Sequence, residues 1–186
     1  QLIVTPETSL TGLFPNSPVT NERSPIADAE RKLREFIREL PHAPYLIVGF
    51  PVWKNVPEHR NIETRYNVSR VYDPDGEIVS THAKVFSAED NFWHGYELNE
   101  FDVCGVPTTL HICHDRRYPD LSTLPVMFGA RLVLHPSNAD IVSGTVDAFE
   151  GQASGSADAL HAFYLHVDGG GGGYIAGPHR KAEPLA

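Results

Sequence analysis

Short apolar runs alternate with longer amphipathic stretches along the chain, and that alternation predicts an α/β protein. Leu2 to Thr5 reads as a buried strand, followed by Pro6-Glu7-Thr8-Ser9 and a loop through Pro15 and Pro18. A helix is predicted from about Pro25 to Leu40. Ser24 can cap it, Pro25 suits the first helical position, and Asp28 and Glu30 lie near its positive end. Ile26, Ala29, Leu33, Phe36, Ile37 and Leu40 then share one face, and Pro41 and Pro44 end the helix. Tyr45 to Phe50 is almost wholly apolar, as a strand covered on a face should be.

Asn67 to Tyr72 and Glu77 to Ser80 are strand-like and joined by Asp73-Pro74-Asp75-Gly76, which predicts an antiparallel hairpin. Thr108 to Ile112 reads as a strand, Leu121 to Phe128 as a short helix and Arg131 to His135 as a strand, with Gly129 as the helix terminator. Phe163 to Val167 is the last predicted strand. Val146 to His161 has helical character, but Gly151 and Gly155 interrupt it. The run Gly169 to Gly173 reads as a loop. It lacks the Lys-Ser/Thr and the following helix of a phosphate cradle.

Composition narrows the partners more than the fold. The chain has 186 residues, 41% of them hydrophobic and 21% charged, which fits one globular domain over residues 1–186. The 15 Lys and Arg against 24 Asp and Glu give a net charge of −9, the opposite of a nucleic-acid footprint. No apolar run approaches a membrane span, so neither nucleic acid nor membrane is an expected partner. Cys104 and Cys113 cannot make a disulfide framework, and a reduced, cytoplasmic thiol is expected. The chain runs from Gln1 straight into an apolar strand and stops soon after a Gly-Pro turn, so both ends read as cut.

The densest polar cluster is His111-Ile112-Cys113-His114-Asp115-Arg116-Arg117-Tyr118-Pro119-Asp120, at a strand exit where α/β sheets place ligands. A cysteine there is either a small buried hydrophobe or a nucleophile. A nucleophile needs a base and an oxyanion stabiliser. Glu7, at the end of the first strand, can supply a carboxylate base, although it can equally cap a turn. Lys84 follows the hairpin in Thr81-His82-Ala83-Lys84-Val85-Phe86, where an ordinary lysine would be solvated.

Taken in order, Pro6-Glu7, then Asn67, Asp75-Gly76 and Lys84, then Ile112 to Asp120, resemble the nitrilase superfamily of carbon–nitrogen hydrolases. Gly129-Ala130-Arg131-Leu132 and His135-Pro136-Ser137-Asn138 extend the resemblance, which runs from Leu2 to about Pro178. It implies an α-β-β-α sandwich of two mixed sheets, here without its first and last elements. It also implies hydrolysis of a non-peptide C–N bond through a thioester on cysteine. Glu7 would be the general base, Cys113 the nucleophile, and Lys84 with the backbone N–H of His114 the oxyanion stabilisers. Glu89 is taken as a second, substrate-orienting glutamate, with Glu97 and Glu100 as its rivals. Trp93-His94-Gly95 resembles the family's aromatic-Pro-Gly turn. The chain departs from the pattern at His114, usually Tyr or Trp, and at Asp120, commonly Glu.

Arg116-Arg117 resembles the segment that binds the substrate carboxylate in N-carbamoyl amino acid hydrolases, so a small amide or carbamoyl substrate is expected, with water as co-substrate. A planar guanidinium suits a carboxylate, and an internal ion pair to Asp115 or Asp120 is the alternative. No metal or organic cofactor is required, and a homodimer or larger assembly is implied. Three other readings compete. His111, Cys113, His114, Asp115 and His135 could form a metal site, but no second ligand pair has zinc-like spacing. A catalytically inactive binding or assembly relative is the second. A papain-like thiol hydrolase is the third, and its signature around the cysteine is absent.

Overall fold

A computed structural model describes residues 1–11, 23–56, 62–87, 92–138, 146–170, 172–181 and 183–184. They fall into two compact units, Gln1–Glu97 and Leu98–Ala186, each organised around one mixed sheet.

In the first unit the strands are β1 (Leu2–Val4), β2 (Tyr45–Val56), β3 (Ile62–Tyr72) and β4 (Ile78–Ala83), in that spatial order. β1 runs parallel to β2, and the other pairs are antiparallel. The β3–β4 hairpin is the predicted one, though both strands extend beyond the predicted bounds. Its turn closes where the Asp73 carboxylate accepts the N–H groups of Asp75 and Glu77 at 3.0 and 2.8 Å. Helix α1 (Arg23–Glu39) packs Ile26 and Ile37 with Leu46, Val48, Phe50, Val68 and Tyr72. It starts before the predicted cap, so Ser24 lies inside it. Phe36, predicted on the buried face, is 56% exposed. At about 100° per residue it stands some 80° round from the Ile26–Leu33–Ile37 stripe, at the flank of the contact. Arg34 and Arg38 tie the helix to the hairpin turn, donating to the carbonyls of Gly76 and Asp75, each at 2.7 Å.

In the second unit the order is β10-β9-β8-β7-β6-β5. The strands are β5 (Glu100–Val103), β6 (Val106–Leu110), β7 (Leu132–Ser137), β8 (Phe163–Asp168), β9 (Gly172–Ala176) and β10 (Glu183–Pro184). The central β6, β7 and β8 are parallel and the outer pairings antiparallel. Helix α2 (Asp120–Phe128) ends at Gly129, whose φ of 131° suits a glycine terminator. Helix α3 (Val146–Leu160) forms through both of its glycines, because Ala153 and Ala157 bury the small face against Val133, Tyr164 and Tyr174. β6 ends two residues before the predicted limit, which leaves His111 and Ile112 outside the strand. β5, β9 and β10 were not predicted. β5 turns into β6 through Cys104-Gly105, both left-handed with φ of 55° and 82°, a backbone that a cysteine does not advertise. β9 begins at Gly172, inside the segment read as a loop. No helix of the described residues is long and apolar enough to cross a membrane.

Candidate active site

Glu7 follows β1 in a turn whose backbone packs closely on β2 at Gly49. A Cβ on Gly49 would lie 2.5 Å from the Thr8 backbone nitrogen, so only glycine admits this close approach without a shift. Thr8 adopts φ of 52°, and the Leu10 N–H donates to the Gly49 carbonyl at 3.2 Å, which pins the turn to the strand. The Glu7 carboxylate is 1% exposed. Its Oε1 accepts from Asn67 Nδ2 on β3 at 2.7 Å and from Lys84 Nζ, just past β4, at 2.8 Å.

Lys84 is as buried as Glu7, contrary to the ordinary expectation for lysine. Its N–H donates to the Asn67 carbonyl, and its own carbonyl accepts from Gly95, both at 2.8 Å. Gly95 is also required: a Cβ there would meet the Ala83 carbonyl oxygen at 2.2 Å. Asn67 therefore holds Glu7 by its side chain and Lys84 by its main chain. A buried pair of this kind is costly to break, about 3–5 kcal/mol, because the surviving charge is left without its partner.

In the second unit Cys113 opens a five-residue 3-10 turn, Cys113–Arg117, rather than an α-helix. It is half-buried, with φ of 48°. A non-glycine residue in the left-handed region is sparsely populated and is typical of functional turns. Asp115, fully buried, accepts the Ile112 N–H at 3.0 Å and so closes the turn from within. Arg116 and Arg117 line a cavity of about 320 Å³ together with Gln152, Ser156 and Tyr164. Glu97 and Glu100 are exposed, and Glu89 lies outside the described residues. Among the described residues no group of three His, Cys, Asp or Glu side chains is arranged to hold a metal ion.

Sequence reading missed a row of histidines beneath the cysteine. Each of the parallel strands β6, β7 and β8 carries a Leu-His pair or runs out into one, and the register sets Leu110 beside Leu134 and Leu134 beside Leu165. His111, His135 and His166 consequently lie side by side, with ring centroids 4.7 and 4.6 Å apart. The repeated dipeptide was the available signal. His135 Nε2 donates to the Cys113 carbonyl at 3.0 Å, and its Nδ1 faces His166 Nδ1 at 2.8 Å. His111 bonds Ser122 Oγ at 2.7 Å and the Tyr164 hydroxyl at 2.8 Å.

Burial, reinforced by the neighbouring His111 and His166, holds His135 well below the usual imidazole range. Burial likewise lowers His166 to about 4, with the Asp168 carboxylate opposing. Both rings are therefore neutral at pH 7, and one proton arrangement satisfies both contacts. His135 carries its proton on Nε2 and accepts at Nδ1, and His166 donates from Nδ1.

No protein-family model matches the chain. Among curated proteins, an omega-amidase of Saccharomyces cerevisiae is 28% identical over 91 residues, covering 42% of this chain and 31% of that protein. A nitrilase homologue of Dictyostelium discoideum is 24% identical over 123 residues, 59% of this chain and 38% of the other. The chain spans about a third of the length of the curated relatives it matches. Among solved structures, a Nesterenkonia AN1 amidase of the nitrilase superfamily gives a TM-score of 0.77 at 20% identity, over 100% of this chain and 75% of that one. A glutamine-dependent NAD+ synthetase of Acinetobacter baumannii gives 0.79 at 19% identity, over 100% of this chain and 36% of that one. The fold is that of the nitrilase-superfamily amidases. The matched curated relatives, an omega-amidase and a nitrilase homologue, agree with that likeness.

Proposed function

We propose that the protein hydrolyses a non-peptide C–N bond of a small amide or N-carbamoyl compound, with Cys113 as nucleophile. Glu7 takes the thiol proton as Sγ attacks the substrate carbonyl carbon. Lys84 Nζ and the His114 backbone N–H stabilise the oxyanion that forms. Collapse expels the amine or ammonia, which receives the proton from Glu7, and leaves a thioester on Cys113. Glu7 then deprotonates water, which attacks the thioester and releases the acid and the thiol. Glu89 is the proposed second glutamate.

The observation that carries this reading is the buried Glu7–Lys84 pair, held by Asn67 of β3. Two charges are not buried in this way for a surface turn. The left-handed, half-buried Cys113 supports it, as does the likeness to amidases. A variant of the Nesterenkonia amidase carries the acetamide moiety of fluoroacetamide covalently on its active-site cysteine. The cavity beside Arg116 and Arg117 supports an anionic substrate tail, because guanidinium groups bind a carboxylate bidentately. Exposed Met127 and Phe128 on α2, at 75% and 79%, support a homo-oligomer. A cytoplasmic thiol enzyme is the matching location.

Ammonia release from a panel of amides, nitriles and N-carbamoyl amino acids tests the reading, with the full-length gene product and its Cys113→Ala variant run side by side. Release that vanishes in the variant is expected. A folded protein silent across the panel would favour the non-catalytic relative. Arg117→Ala should weaken carboxylated substrates far more than neutral amides, and equal weakening would remove the carboxylate clamp.

A further inference from the structure

The histidine row has no part in the chemistry proposed above, yet it ends on the main chain of the proposed nucleophile. Three imidazoles inside one sheet are an unexpected filling for a core, since leucine would pack there without polar atoms to satisfy. Each is almost fully buried, at 1% exposure for His111 and His135 and 2% for His166. Their contacts run in a chain: His166 Nδ1 lies 2.8 Å from His135 Nδ1, and His135 Nε2 lies 3.0 Å from the Cys113 carbonyl, which can only accept. Cys113 is the residue whose backbone takes the sparsely populated left-handed conformation. A donor fixed on its carbonyl from the neighbouring strand favours that conformation over the extended alternative.

We infer that His135 is a positioning residue for Cys113, clamping its carbonyl so that the thiol is presented in the left-handed turn, and that His166 sets the tautomer His135 needs. The inference rests on Cys113 being the nucleophile. The device works only with His135 neutral and protonated at Nε2. Were the proton on Nδ1 instead, two N–H groups would face each other at the His166 contact and a lone pair would face the carbonyl. Among the described residues, the charged and titratable groups around His135 are His111 from the end of β6, Arg116 from the 3-10 turn, and Tyr164 and His166 on β8 with Asp168 beyond them. Metal sites use the same logic to hold their histidine ligands: one ring fixes the working group, and the next fixes the ring.

Iodoacetamide alkylation of Cys113, followed by mass spectrometry, reads thiol presentation without any substrate, so it stands whether or not the C–N hydrolase reading does. His135→Leu should slow alkylation by about tenfold to a hundredfold, the usual cost of misplacing a reacting atom. His135→Gln, which keeps an N–H donor near the Nε2 position, should restore most of the rate. His166→Leu should fall between, and with an active substrate the loss should appear in kcat and not in KM. If His135→Leu alkylates as fast as wild type, or if leucine and glutamine are equally slow, the clamp is overturned. Should the leucine variant fail to fold, histidine-labelled nitrogen NMR of the wild type decides. A proton on Nε2 of His135 and on Nδ1 of His166 supports the inference, and the opposite tautomers overturn it.

Discussion

At the residue scale, one glycine and one ion pair decide whether the first unit can serve chemistry. Gly49→Ala places a Cβ against the Thr8 nitrogen at 2.5 Å, so the Glu7 turn must move. The expected outcome is a folded protein, destabilised by about 1–3 kcal/mol as for other overpacked positions, with turnover severely reduced. Lys84→Met should cost about 3 kcal/mol in chemical denaturation, because Glu7 is left buried and charged. The double variant Glu7→Leu/Lys84→Met should recover most of that loss, which separates an uncompensated charge from lost packing.

Acid provides a further residue-scale prediction. His135 and His166 are held below the ordinary imidazole range in the folded chain, so between about pH 4 and 6.5 the unfolded chain binds more protons and stability rises with pH. His166 alone should remove about 3 kcal/mol between pH 7 and pH 4, because each tenfold loss of proton affinity is worth roughly 1.4 kcal/mol. Thermal melts across that window should show the slope, and His166→Gln should flatten it. Glu7 and Lys84 could be named from their order on the chain and the resemblance it carried. Asn67 was visible only as a matching residue, because nothing in a sequence shows that one amide will hold both. The three Leu-His pairs were equally visible, but their meaning depends on strand register.

At the element scale, the second unit shows how packing overrides local preference. Gly151 and Gly155 argue against a helix at Val146–Leu160, yet α3 forms because Ala153 and Ala157 bury themselves on the sheet. Gly155 faces open space, so Gly155→Ala should stabilise the protein by about 0.5–1 kcal/mol without changing turnover. Gly105→Ala provides the contrast. Its Cβ would also meet nothing, but its φ is 82°, so the same substitution should destabilise by about 1 kcal/mol. Melting temperatures of the two variants, moving in opposite directions, check both. Strands with a clear apolar run were legible in the sequence, and so were the helices α1 and α2. β5, β9 and β10 were not, because they are short, lie toward one side or the other of the parallel core, and owe their pairing to neighbours and not to their own pattern.

At the scale of the whole molecule, the α/β class followed from the alternation of apolar runs and helical stretches, and the nitrilase-like fold with its two mixed sheets from the residues around Cys113. Substrate identity was beyond the sequence, since it depends on cavity shape. Arg116 and Arg117 suggest only the sign of a ligand.

The most direct measurement is the intact mass of the full-length protein, acid-quenched during turnover of an active amide. The mechanism predicts an acyl adduct mapping to Cys113, present in wild type, accumulating when Glu7→Gln slows its hydrolysis, and absent in Cys113→Ala. Turnover that persists in Cys113→Ala, or an adduct that maps to another residue, would contradict it.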